Sequence, residues 1–341
     1  MKYDSFTKEI DEISQIISLN QRIISTLNGS DLSLFKKSLH KNLTIAIYTF
    51  WENFSKNLIY NCYINYKKIL VDKDFLINFF QHIQEKSFAR QLFLNSIDDN
   101  KFNITMENLC YSNNLNYKEL KSLFKRVMFN SDQLRKHLDK FPELSEAIED
   151  LKTNAVYPVF QTVKSHYDVS DYLEAYINLF VENRNTVAHQ YQITEIYSLD
   201  QFESILNFIK AVTLLIFEFC GSQLLIKAKE KGEVVYKRLL PLCVIKGNPA
   251  GETAIIGIRN ISQKTITKDV KLYCFDRGNN IYRTVDIIKI IKDGKEHNEI
   301  LPLEAYSLEV QTNATINKRN DKFIVCELNQ NCVSYDYQVI V

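Results

Sequence analysis

The stretch Asn183-Arg184-Asn185-Thr186-Val187-Ala188-His189-Gln190-Tyr191 sets a permanent cation, an amide and a titratable imidazole within six residues. Arginine grips a phosphate through its planar fork and never loses its charge, while an unperturbed histidine gives or takes a proton near neutrality. A group that stabilises phosphate charge beside a group that moves protons outlines a site for cutting RNA. The spacing sets a geometric condition. On one unbroken helix Asn185 and His189, four apart, share a face, whereas Arg184 and His189, five apart, diverge by about 140°. Arginine's long stem, or a break at the two asparagines, must then close the gap.

The elements that position this stretch are helices. Asp171 with Glu174 three residues on has capping-box spacing, and Leu173, Ile177, Phe180 and Val181 repeat at helical period, so a helix opening at Asp171 carries the motif at or near its end. Ser198 and Gln201 open the next helix in the same way, with Phe202, Ile205, Ile209, Val212, Leu215, Ile216 and Phe219 on its apolar face. The bend from Gln190 to Tyr197 thus places the Arg/His pair at one end of a helical hairpin.

Earlier in the chain, a helical stripe runs from Phe6 to Leu27 and ends before Gly29, a residue suited to a left-handed cap. From Asp31 a second stripe continues to about Tyr66 without glycine or proline, a helix of about 50 Å with Trp51 near its midpoint. Trp51 reads as a core aromatic, and Glu52 as a solvated acid or a partner for Arg184. Phe75 to Leu94 makes a third helix, Asn95 to Asn103 a loop, and a shorter helix follows near Met106. Asn116 with Glu119 opens a helix bearing Lys118, Lys121, Lys125 and Arg126, the densest basic cluster before the motif and a candidate RNA-binding face. A run of this kind is also the ordinary solvated face of a helix.

Past Lys227 to Gly232 the character changes, with seven of the eight glycines and three of the five prolines lying after residue 220. Short alternating runs follow (TAIIGIR, VKLYCFD, YRTVDIIKII, YSLEV, KFIVCEL, YDYQVIV), with Asp293-Gly294 as a tight hairpin turn. The expectation is a chain that is α then β. An all-helical bundle fills 1–228, and a small immunoglobulin-like β-sandwich, or alternatively a small β-barrel, fills 229–341 as a sensing, binding or regulatory module. The β part shows no catalytic constellation.

With 341 residues, 45% of them hydrophobic, each part can bury its own core. A formal charge of +1 gives no global attraction to nucleic acid or anionic membranes, so RNA contact must be local. The seven cysteines lack metal-ligand spacing, and no secretory signal opens the chain, so reduced thiols, a cytoplasmic location and no metal or cofactor are expected. The most apolar stretch, Phe208 to Cys220, carries Lys210 and Glu218 and is shorter than the ~20 residues that cross a bilayer, so no membrane contact is expected.

Arg184, Asn185, three further residues and His189 resemble the signature of the HEPN superfamily of all-helical ribonucleases and nucleotide-binding proteins, and the extension to Tyr191 is similar to one toxin variant of it. Ala46, Trp51, Glu52 and Phe54 resemble the long second helix of the RiboL-PSP and MAE-type branch, and Asn116 to Arg126 fits that branch too. The similarity covers roughly residues 5 to 228.

The resemblance implies a metal-independent endoribonuclease acting on single-stranded RNA or tRNA, in a toxin or anti-phage defence role. His189 would be general base or acid, Arg184 the stabiliser of the phosphorane, and Asn185 would orient the phosphate or His189. It also implies a homodimer whose two motifs share one composite cleft, with an antitoxin or a phage-derived trigger as candidate partners. Tyr191 would be a regulatory position, silenced by nucleotide attachment in the toxins that share the pattern. Two other classes compete: a HEPN module that binds RNA, nucleotide or protein without chemistry, and a purely structural helical adaptor.

Overall fold

The computed structural model describes residues 3–84, 104–138, 141–157, 168–189, 196–231, 239–247, 252–268, 272–276, 279–312 and 326–327. The helices are α1 (Tyr3–Ile24), α2 (Gly29–Asn65), α3 (Lys67–Leu70), α4 (Lys73–Gln84), α5 (Met106–Leu109), α6 (Tyr117–Arg126), α7 (Leu134–Leu138), α8 (Pro142–Thr153), α9 (Val169–His189) and α10 (Leu199–Glu230). Among the described residues nine strands follow: β1 (Leu239–Lys246), β2 (Thr253–Asn260), β3 (Ile266–Thr267), β4 (Leu272–Asp276), β5 (Ile281–Lys292), β6 (Lys295–His297), β7 (Glu299–Ile300), β8 (Ala305–Thr312) and β9 (Cys326–Glu327).

The chain divides into two compact units, one of residues 2–60 and 77–217 and the other of residues 61–76 and 218–341. The division cuts through long helices and does not follow the composition break near residue 230. Its cause is local: within the second unit the Ser222 hydroxyl accepts from the Tyr282 N–H at 2.9 Å, and the Glu218 carboxylate accepts from the Thr284 hydroxyl at 2.8 Å. The last turns of α10 are thereby bonded to β5. A cut at residue 228 would separate residues 61–76 and 218–228 from the strands of their own unit.

The first unit is helical. At 37 residues α2 is about 55 Å long. Gly29, with φ of +60°, turns the chain from α1 into it, a conformation that costs glycine little. Phe50, Trp51, Phe54, Leu58, Leu120, Phe124, Ile177, Phe180, Ile209 and Val212 are buried, so the apolar stripes read from sequence do form this core.

Caps fix the helix starts. Asn116 accepts from the Glu119 N–H at 2.9 Å, and Ser198 and Gln201 bond each other's backbone amides at 2.9 and 3.2 Å. Helix α9 begins at Val169, two residues earlier than Asp171. Its cap is Asp168, whose carboxylate accepts from the Asp171 N–H at 2.9 Å while Asp171 returns the bond to the Asp168 amide. The third helix is described only from 73 to 84, and the expected loop 95–103 lies outside the described residues.

Helix α10 runs for 32 residues, well beyond the apolar stretch singled out from sequence. By length and composition it could cross a membrane, but 83% of its apolar window is buried within the protein, as in a core helix.

In the second unit the described strands form a seven-stranded antiparallel sheet, ordered β1-β2-β8-β5-β4-β9 with β6 on β5, and a β3-β7 ribbon. Among the described residues this is one curled sheet plus a ribbon, where two comparable facing sheets were expected of an immunoglobulin-like sandwich. The twelve-residue β5 pairs with β8, β4 and β6 along its length, and a bulge between Ile287 and Lys289 bends it. Asp293 and Gly294, both at positive φ (51° and 74°), make the hairpin turn expected of Asp-Gly.

Candidate active site on the last turns of a helix

Helix α9 stays unbroken through His189, so the asparagines introduce no kink and the motif sits on its last turns. Arg184 and Asn185 are half-buried and His189 is exposed. The Arg184 guanidinium lies over the Tyr48 ring of α2, 4.4 Å from its centroid, and its Nη1 donates to Asn185 Oδ1 at 3.0 Å. Stacking and hydrogen bonding together hold the fork in one orientation. Asn185 Oδ1 thus holds the Arg184 fork; the role that the family resemblance implies for Asn185 is to orient the phosphate or His189.

Tyr48 is itself anchored. Its hydroxyl accepts from the Leu115 N–H at 3.1 Å, and one turn further along α2 the Trp51 indole donates to the Leu115 carbonyl at 3.0 Å. Both backbone groups of this loop residue are thus satisfied by α2 side chains. Burial holds the Tyr48 phenol above its ordinary pKa, and the Leu115 N–H acts in the opposite direction. Phe180 packs against the same ring at 6.1 Å, one turn before Arg184. Asn178 accepts from the Tyr117 N–H at 3.1 Å and so ties α9 to the start of α6.

Trp51 is a core aromatic, as read from the sequence. Glu52 does not pair with Arg184: its carboxylate takes the Lys56 ammonium at 2.8 Å, the i,i+4 partner on the same helix. Tyr191 lies outside the described residues.

The basic helix α6 splits into two faces. Lys118 and Lys125 are exposed, and the Lys121 ammonium is 3.5 Å from Asp132. Arg126, grouped with them in the sequence reading, is buried. Its guanidinium donates to the Leu109 and Tyr111 carbonyls at 3.1 and 2.7 Å and to the Ser122 hydroxyl at 3.3 Å, with Glu119 at 3.6 Å. It cannot meet a phosphate without unmaking that network, so Arg126 leaves the candidate RNA-binding set. The signal was in the sequence: Glu119, Ser122 and Arg126 recur at i, i+3, i+7 and fall on a different face from 118, 121 and 125.

His40 on α2 was not singled out from sequence. It is 1% exposed, its Nδ1 accepts from the Tyr197 N–H at 3.0 Å, and burial lowers its pKa to about 4. It lines a cavity of about 490 Å³ together with Lys36, Ile196, Tyr197, Asp200 and Phe202. Among the described residues no group of three or more His, Cys, Asp or Glu side chains is arranged to hold a metal ion.

A helical unit with an Arg-Asn pair and a histidine on the last turns of one long helix, together with a long second helix, is the architecture expected of HEPN domains. The chain belongs to the RiboL-PSP-HEPN family, whose model matches residues 4–222, more than half of the protein. No curated protein and no solved structure matches it. The strands, which begin at residue 239, lie beyond the matched region.

Proposed function

We propose that the protein is a metal-independent endoribonuclease of single-stranded RNA or tRNA. The observation that carries this reading is Arg184, a guanidinium held by Tyr48 and Asn185 five residues before an exposed histidine at the helix end. Such a fork loses little freedom when it meets phosphate, which is where preorganised charge is most effective.

In the proposed reaction the ribose 2′-hydroxyl gives up its proton and its oxygen bonds to the adjacent phosphorus. The bond from phosphorus to the 5′ oxygen breaks, and that oxygen takes a proton. The products are a 2′,3′-cyclic phosphate and a 5′-hydroxyl. His189 moves the protons and Arg184 balances the added charge on the phosphorane. Because Arg184 and His189 diverge by about 140° around one helix, two copies of the motif facing each other would supply the complete set, with one His189 as base and the other as acid. Exposed Lys118 and Lys125, with Lys121, would hold the strand. A toxin or phage-defence role, control through an antitoxin, a phage-derived trigger or Tyr191, and a cytoplasmic site of action go with this reading.

The test is cleavage of unstructured RNA by the full chain in chelator. Cutting should persist, DNA should be inert, and a single 2′-deoxy substitution at the scissile nucleotide should abolish it. His189→Ala and Arg184→Ala should each lower kcat/KM by about 10²-fold or more while staying folded. Cleavage of the deoxy substrate, or full activity of His189→Ala, refutes the mechanism.

A further inference from the structure

Arg184 is only as well placed as the surface it lies on, and among the described residues that surface is the ring of Tyr48. The Tyr48 ring is 1% exposed and packed against Phe180, and its hydroxyl takes the Leu115 N–H at 3.1 Å, so neither its position nor its tilt is free. Arg184 Cζ lies 4.4 Å from the ring centroid, within the range of a cation–π contact. One Nη1–H is committed to Asn185. The ring occupies the space on one side of the guanidinium carbon and Asn185 takes one Nη1–H, so an incoming oxyanion meets the remaining N–H groups from the side away from the ring. Edge-on approach is the geometry of two parallel N–H···O bonds to phosphate.

We infer that Tyr48 is a positioning residue for the phosphate-binding arginine: it fixes the plane of the Arg184 fork so that its free edge is presented to the scissile phosphate. This rests on the ribonuclease reading above. Tyr48 does not touch the substrate and moves no proton. Its contribution is the ring face, which phenylalanine also supplies and leucine does not.

The experiment uses the full chain with Tyr48→Phe and Tyr48→Leu, each alone and combined with Arg184→Ala. It reads kcat and KM on unstructured RNA, and affinity for the same RNA carrying a 2′-deoxy scissile nucleotide. Both substitutions remove the bond to Leu115 and lower stability, so thermal unfolding sets the working temperature at which every variant is folded.

Phenylalanine should keep most of kcat/KM. Leucine should lower it by about 3- to 30-fold, the range set by losing one cation–π contact. In the Arg184→Ala background, Tyr48→Leu should add nothing to the loss of affinity for the uncleavable RNA, because the side chain it positions is gone. Equal activity of the leucine and phenylalanine variants, or a leucine penalty that persists without Arg184, overturns the inference while wild-type cleavage keeps the ribonuclease reading intact. Failure of the wild-type chain to cut RNA removes both.

Discussion

Replacing Arg126 by methionine separates a cation that builds the fold from one that binds substrate. The substitution keeps an apolar stem and removes every donor. It leaves the buried Leu109 carbonyl and the partly buried Tyr111 carbonyl without the N–H groups now 3.1 and 2.7 Å away, and Glu119 without its cation at 3.6 Å. An orphaned buried acceptor costs about 1–3 kcal/mol, and breaking a buried ionic group from one side about 3–5. Some of this returns as Glu119, about one-third exposed, gains water. A destabilisation of about 3 kcal/mol is therefore expected, measured by urea unfolding with the slope against urea unchanged. The complementary assay is RNA affinity against salt. Lys118→Ala and Lys125→Ala should each reduce the slope of log affinity on log salt by about 1, and Arg126→Met should leave it where it was. An Arg126→Met chain that keeps its urea midpoint but loses salt slope would refute the reasoning, because it would mean that the guanidinium meets phosphate.

Two further outcomes follow from buried groups. Trp51→Phe preserves most of the ring's burial but orphans the Leu115 carbonyl, and should cost about 1–3 kcal/mol by urea unfolding with little change in kcat. His40 keeps its proton off down to about pH 4 in the folded chain, whereas an unfolded histidine titrates near 6.5. Between those values the unfolded state binds the extra proton. His40's contribution is therefore complete above about pH 6.5 and declines as pH falls towards 4, by up to roughly 3 kcal/mol. His40→Leu should flatten that part of the stability profile, and an unchanged profile would refute the assignment.

What the sequence disclosed were the local relations. Capping pairs at 116/119 and 198/201, the stripes of α2 and α10 and the Asp-Gly turn are each encoded within a few residues, and each appears in the structure. The start of α9 slipped because two aspartates three apart can each cap, and the choice fell to Asp168, which also meets Arg135. Non-local relations were not legible. Tyr48 and Arg184 are 136 positions apart, and no pattern in either helix says that they meet. Alternation revealed β2, β4, β5 and β8 but not their partners, and the run YDYQVIV lies outside the described residues; a bulged β5 serving three neighbours was expected to be part of two facing sheets. Arg126 was misassigned for a different reason: charge was counted along the sequence when the helix period had already set it apart from its neighbours.

Leu115 belongs to no helix or strand, yet both of its peptide groups are held by aromatic side chains of α2, the Tyr48 hydroxyl and the Trp51 indole. The tether has the two bonds of a strand pairing without a second strand, and it lasts only while the turn from Tyr48 to Trp51 keeps its coil. Any loosening of that turn frees the loop before α6 and tilts the ring under Arg184 in the same event. Fraying there would silence the arginine while leaving every residue of the Arg-to-His motif in place, so a defect mapped to that turn would look like a lesion in the motif itself.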